Sequence, residues 1–69
     1  MKIIYDEAVD ILYIRLREGE YEESDEVSEG LIVDYDKEGR PIAIEILSAA
    51  SLLGSPERLA VEFSRERKD

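Results

Sequence analysis

The chain has 69 residues, 18 acidic and 9 basic, and its formal net charge of −9 in so short a length predicts one small domain. This charge disfavours direct binding to nucleic-acid phosphates or anionic membranes. It would suit a basic protein partner, or it serves only as an acidic coat that keeps the domain soluble. The sequence has no Cys and no His, so disulfides and the common zinc ligands cannot stabilise it. Oligomerisation is the remaining common way to support a small core.

Two further sequence features bear on location and habitat. No apolar run reaches the length of a membrane span, and the first five residues lead into acidic residues rather than into a signal-peptide core. We therefore expect a cytoplasmic protein. Charged residues make up 39% of the chain, and it contains no Asn, Gln, Thr or Trp, a composition that leans toward that of heat-adapted proteins.

The first β-rich region, residues 2–17, predicts an N-terminal hairpin. Two runs, 2–6 and 11–17, are separated by four residues suited to a tight loop. Apolar side chains alternate with polar ones in the second run, as in a half-buried strand. The other side of this hairpin is also apolar, and its members are Ile4, Ile11 and Tyr13.

A second hairpin is predicted over residues 31–47, around a turn formed by residues 36–39. Asp36 supplies an acceptor side chain at the first turn position and Gly39 closes the turn, where a positive φ is expected. A four-residue loop places the apolar side chains of both strands on one face, whereas a three-residue loop mixes charges into both faces. The preferred register pairs Val33 with Ile42 and Leu31 with Ile44.

The stretches outside the hairpins predict a loop and a helical tail. Residues 18–29 are strongly acidic, and we interpret them as a loop with at most a short edge strand near Val27. Residues 48–54 indicate a helical turn ended by Gly54. Pro56 then begins a predicted helix that extends to about residue 67. The alternating Leu59, Val61 and Phe63 leave a strand as the alternative.

The predicted architecture is thus a single α+β domain covering residues 1–69. Two antiparallel β-hairpins form a small sheet, and a helical tail covers residues 49–67. A sheet of this size leaves open edges, and the N-terminal hairpin is apolar on both sides. We therefore predict a homodimer whose interface contains Ile4, Ile11 and Tyr13.

A long spaced pattern resembles a known family. Its residues are Tyr5-Asp6, Asp10, Leu12-Tyr13-Ile14, Ser24, Glu26-Val27, Gly30, Asp34, Asp36, Gly39, Ile44-Glu45-Ile46-Leu47 and Ala50-Ser51. Over about residues 2–51 the chain resembles the small prokaryotic family called domain of unknown function 2283. The resemblance implies a compact β-rich fold with a helical element. It also implies, for some members, a role beside toxin-like proteins, and hence an antitoxin-like function.

Acidic residues offer two candidate metal sites. Asp34, Asp36, Glu38 and Glu45, with Gly39, match the spacing of a calcium loop except for Glu at the fifth position. Calcium loops of that kind lie between helices, however, and both flanks here are β-rich, so turn chemistry explains these residues better. A second group consists of Asp6, Glu7 and Asp10, which offers acid–base or metal chemistry but also suits the ends of a tight loop.

The inventory of catalytic residues is thin, because without His or Cys the common nucleophile–base pairs cannot form. We expect no cofactor and a non-enzymatic function. The sequence favours an acidic protein-interaction or regulatory module, antitoxin-like and homodimeric. The alternative is a carboxylate-based metal-binding protein or enzyme.

Overall fold

The computed structural model describes residues 1–54 and 60–67. Within these ranges the chain forms five strands and one short helix. In chain order they are β1 (Lys2–Asp6), β2 (Ile11–Arg15), β3 (Tyr21–Ser28), β4 (Leu31–Asp36), β5 (Pro41–Leu47) and α1 (Ala49–Leu53). All neighbouring strands pair antiparallel in the order β1-β2-β5-β4-β3. The fold is therefore mostly β, and the expected α+β class is only approximate.

The predicted N-terminal hairpin is confirmed by the pairing of β1 with β2, and the second hairpin by the pairing of β4 with β5. The two hairpins join edge to edge, because β2 pairs with β5. Strands β3, β4 and β5 are neighbours in the order in which they follow along the chain. After β2, by contrast, the chain crosses to the far edge of the sheet to begin β3, and it returns beside β2 only with β5. This arrangement has the connectivity of a Greek key.

Most of the acidic stretch is a strand and not the predicted loop, although the predicted edge strand near Val27 lies within it. Strand β3 contains eight residues, pairs with β4 and forms one edge of the sheet. All eight side chains are exposed, so the carboxylates stay solvated while the backbone is paired. The prediction was wrong because the hydrogen bonds of an edge strand come from its neighbour and need no apolar alternation. Gly30, with φ of +77°, provides the tight turn between β3 and β4.

The turn between β4 and β5 is one residue shorter than predicted. The backbone N–H of Asp36 donates to the carbonyl oxygen of Arg40 at 2.9 Å, and the N–H of Gly39 donates to the carbonyl oxygen of Asp36 at 3.0 Å. These bonds close a three-residue loop. Gly39 has φ of +79°, a conformation that favours glycine.

A β-bulge at Ile42 explains why the shorter loop does not mix the two faces. Because of this extra residue on β5, the register changes by one residue between the Tyr35–Pro41 pair and the Asp34–Ala43 pair. Val33 therefore lies opposite Ile44 instead of Ile42. The predicted partners on β5 were therefore wrong by two residues. A shift of two residues keeps Leu31 and Val33 on the same side as their predicted partners, so this part of the predicted apolar face survives.

The connection between β2 and β3 crosses the end of the sheet close to the β4–β5 hairpin. The carbonyl oxygen of Ile42 accepts the N–H groups of Leu16 at 2.8 Å and Arg17 at 3.3 Å. A Cβ atom on Gly19 would lie 2.7 Å from the Cγ2 atom of Ile42 and 3.3 Å from the Cβ atom of Asp36. Glycine at position 19 therefore permits the close crossing that the strand order requires.

The hydrophobic core lies on one side of the sheet, which we call the core face. Leu12, Ile46 and Ala49 form its buried centre. The half-buried residues packed around them are Tyr5, Ile14, Leu31 and Ile44. Helix α1 covers this centre through Ala49, which is only 2% exposed, and Gly54 ends the helix with φ of +87°. The predicted helical turn is confirmed.

The long C-terminal helix is not found in its described part. Residues 60–67 form neither helix nor strand, and Val61 and Phe63 are 64% and 84% exposed. Both side chains are therefore mostly in solvent, and little apolar burial stabilises a helix in this segment. The predicted start of the helix, together with Leu59, lies outside the described residues. In residues 1–54 and 60–67 there is no helix long and apolar enough to cross a membrane.

Candidate functional site

The side of the sheet opposite the core, which we call the reverse face, contains two rows of paired residues that cross the whole described sheet. Directly paired residues share a side of a sheet, so each row crosses all five described strands. One row is Lys2, Arg15, Ala43, Asp34 and Ser24, and the other is Ile4, Tyr13, Glu45, Ile32 and Glu26. The rows become more acidic from β1 toward β3, so the reverse face is electrically asymmetric.

Asp34 and Glu45 form a carboxyl pair in the middle of the reverse face. Asp34 lies on β4 opposite Ala43, and Glu45 is two residues further along β5. The hydrogen bond with Asp34, followed by burial and by the negative charge of Asp34, raises the pKa of Glu45 above its usual 4.5. The Glu45 carboxyl therefore keeps its proton to a higher pH than an isolated glutamate does.

A hydroxyl chain holds the Asp34 carboxylate. The Ser24 hydroxyl donates to Oδ1 of Asp34 at 2.6 Å, and the Tyr21 hydroxyl lies 2.8 Å from the Ser24 oxygen. Asp34 is 6% exposed, so this hydrogen bond compensates for part of the cost of its burial. These hydrogen bonds link the edge strand β3 to the centre of the sheet.

The residues with calcium-loop spacing are divided between the sheet and the turn. Asp36 is 2% exposed, and its Oδ1 atom accepts the backbone N–H groups of Glu38 at 3.0 Å and Arg40 at 2.9 Å. The Arg40 N–H and, more weakly, the Glu38 N–H and the Arg40 guanidinium hold the pKa of Asp36 below its usual 3.8, against the opposing effect of burial. Asp36 and Glu38 thus lie at the turn, whereas Asp34 and Glu45 lie on strands. Among residues 1–54 and 60–67, no three His, Cys, Asp or Glu side chains are grouped to hold a metal ion.

The acidic residues of the β1–β2 loop have separate structural contacts. Asp6 accepts the N–H of Ala8 at 3.1 Å. Asp10, with φ of +55°, accepts the Tyr5 hydroxyl at 2.7 Å and the N–H of Ala50 at 3.0 Å through the same Oδ1 atom. The hydrogen bond to Asp10, followed by burial and the nearby carboxylates, raises the pKa of Tyr5 to about 12. Asp10 therefore ties the first hairpin to helix α1.

The three predicted interface residues lie together at the β1–β2 end of the reverse face, and we call them the reverse patch. Ile4 is 43% exposed, and Tyr13, directly opposite it on β2, is half-buried. Ile11 is half-buried two residues before Tyr13. A groove of about 540 Å³ opens beside Ile4 and Tyr13. Its charged lining includes Lys2, Arg15, Arg17 and Glu18.

Sequence reasoning missed Ser24 as the partner of Asp34 and Ala50 as a donor to Asp10. The two side chains of the first contact are 10 residues apart, and the two groups of the second are 40 residues apart. Neither pair belongs to a local turn pattern. Only the strand order could have placed them side by side.

The fold and the reverse face define a small antiparallel sheet domain with a short helix on one face. Within the described residues, its edge strand β1 adjoins the reverse patch. The model of the family described as Protein of unknown function (DUF2283) matches residues 2–49. The chain belongs to this family, and the resemblance inferred from the sequence is confirmed. No curated protein and no solved structure matches the chain.

Proposed function

We propose that this protein is a non-catalytic interaction module that acts as a homodimer, with the reverse patch of Ile4, Ile11 and Tyr13 in the contact. The exposure of Ile4 is the observation that carries the proposal. Ile4 is an aliphatic strand residue, 43% exposed, and it adjoins two further apolar residues on the same side. Contiguous apolar surface of this kind is typical of protein contacts.

The acidic composition supports a protein partner rather than a nucleic acid. Strand β3 presents Glu22, Glu23, Asp25 and Glu26 to solvent, and the chain carries a net charge of −9. Such a surface slows the approach of phosphate groups and favours a basic protein. A basic partner on β3 would leave the reverse patch free for a second copy. The antitoxin-like role indicated by the family resemblance stays a prediction.

The carboxylate-based alternative has less support. Of the four carboxylates with calcium-loop spacing, the geometry brings together only Asp34 and Glu45. The hydrogen bonds that Asp34 and Asp36 accept explain these two residues as parts of the fold. Two neighbouring carboxyl groups are a small basis for a reaction or a metal site. The interaction module uses the exposed surface that these groups do not occupy.

The proposal is tested by measuring the mass of the full chain in solution with and without Ile4→Glu. Sedimentation equilibrium should give twice the mass of one chain for the natural sequence. Ile4→Glu should shift the equilibrium to monomer, because it places a charge in the apolar contact. Ile4 is a cleaner site than Tyr13, since a carboxylate at position 13 would lie directly opposite Glu45 in the same chain.

Val27→Glu is the matched control, because Val27 is also β-branched and 50% exposed but lies on β3 at the other edge of the sheet. It should leave the dimer unchanged although it adds the same charge. A monomeric mass for the folded natural chain at all concentrations would refute the proposal. Equal weakening by both variants would show that net charge, and not the reverse patch, controls association.

A further inference from the structure

The two edges of the sheet are chemically unlike. Strand β3 carries four exposed carboxylates and has register irregularities near both ends, between Tyr21 and Glu23 and between Glu26 and Ser28. Charges and bulges of this kind prevent another strand from pairing with an edge. Strand β1 pairs with β2 without a register shift, and its charged residues, Lys2 and Asp6, are its two ends. Among the residues that the structure describes, β1 is therefore the edge that suits a further strand.

Apolar exposure on β1 occurs on both sides of the sheet. Ile3 lies on the core face and is 39% exposed, and Ile4 lies on the reverse face and is 43% exposed. A partner that covered one face would shield only one of these side chains. A strand placed alongside β1 would shield both, because its own side chains also alternate between the two faces.

The sequence of β1 is complementary to itself when reversed. Lys2 and Asp6 are equally far from Ile4, with apolar residues between them. If two copies of β1 pair antiparallel about Ile4, each Lys2 lies opposite an Asp6 of the other copy, and Ile3 lies opposite Tyr5. Registers shifted by two residues set a charged residue opposite an isoleucine instead. The arrangement of charges thus selects both the partner and the register.

We infer that two copies of this chain associate by antiparallel pairing of their β1 strands about Ile4, which makes one continuous sheet across the dimer. This inference rests on the proposed function and narrows the contact of the homodimer to the β1 edge, with Ile4 at its centre and Ile11 and Tyr13 on the adjacent strand β2. The two Ile4 side chains meet on the two-fold axis, and the reverse patches of both copies form one apolar stripe. A two-fold axis perpendicular to the sheet keeps both core faces on the same side.

Disulfide trapping tests this register directly, because the chain contains no Cys and an introduced thiol has no competitor. Directly opposed residues of antiparallel strands have Cα atoms roughly 4.5–5.5 Å apart, within the span of a disulfide. Ile4→Cys should therefore give a covalent dimer under mild oxidation. Lys2→Cys is the control, since the two copies of position 2 would be roughly 14 Å apart along the strands and should not crosslink.

Charge exchange provides an independent measurement by sedimentation equilibrium. Lys2→Glu and Asp6→Lys should each weaken the dimer roughly ten-fold, because each creates two like-charged pairs across the contact. The double variant has the natural net charge and should recover the natural affinity. Lys37→Glu makes the same charge change as Lys2→Glu at the exposed β4–β5 turn and should have no effect. Circular dichroism verifies that each variant is folded.

The outcomes separate this inference from the proposed function. A dimer that neither crosslinks through Ile4→Cys nor recovers in the double variant would overturn the β1 pairing but keep the interaction module. If the natural chain is monomeric at all concentrations, both the β1 pairing and the homodimer are overturned. The β1 edge could then pair only with a strand of another protein. Crosslinking at position 4 together with recovery in the double variant supports the pairing.

Discussion

Replacing Gly39 tests the turn that sets the register of the central hairpin. Gly39 has φ of +79°, and no atom outside the adjacent residues lies within 4 Å of a Cβ built on it. The cost of Gly39→Val therefore comes from the backbone conformation and not from a collision. Holding an L-residue in the left-handed region costs roughly 1–2 kcal/mol, and a β-branched side chain belongs at the upper end of that range.

Urea unfolding at one fixed protein concentration measures this cost, because the proposed dimerisation would make the apparent stability depend on concentration. Gly39→Val should lower the free energy of unfolding by about 1–2 kcal/mol with an unchanged m-value. Gly39→Asn is the control, since Asn tolerates positive φ better and should lose less than half as much. A Val variant within about 0.3 kcal/mol of the natural chain, or an equal loss in both variants, would refute the conformational argument.

Two further predictions concern side chains whose hydrogen bonds perturb a pKa. Glu45→Gln should stabilise the protein at pH 7 by about 1 kcal/mol, because ionisation of Glu45, with its pKa raised in the folded state, costs stability as the pH rises above 4.5. The gain should vanish well below pH 4.5, where Glu45 is protonated in both the folded and the unfolded state. Chemical unfolding at pH 7 and below pH 4.5 measures both values, and an equal effect of the substitution at the two would contradict this prediction. Asp10→Ala should destabilise the fold by about 1–3 kcal/mol and return the pKa of Tyr5 from about 12 toward 10, as followed by ultraviolet titration. Asp10→Asn keeps an acceptor oxygen and should lose less stability, so equal losses would argue against the tether to Ala50.

The sequence by itself determined the elements whose signal is local. Alternation with a period of two located β1, β2, β4 and β5, because each of these strands has an apolar side packed against the core. The acceptor side chain of Asp36 and the glycine at position 39 located the turn between β4 and β5, and Gly54 located the end of α1. These features depend on the preferences of a few adjacent residues, so a single sequence reveals them.

The tertiary structure decided everything that depends on a neighbour distant in the chain. Strand β3 exists because β4 pairs with it, and its acidic residues show no strand pattern of their own. The bulge at Ile42 set the final register. The Ile42 carbonyl oxygen accepts two N–H groups from the residues that follow β2, and no local propensity encodes that contact. Likewise, the pairing of Asp34 with Glu45 and the tether from Asp10 to Ala50 appear only when the strands lie side by side. Hydrogen bonds and charges act over a few ångströms of space, and only the folded sheet brings these groups within that range.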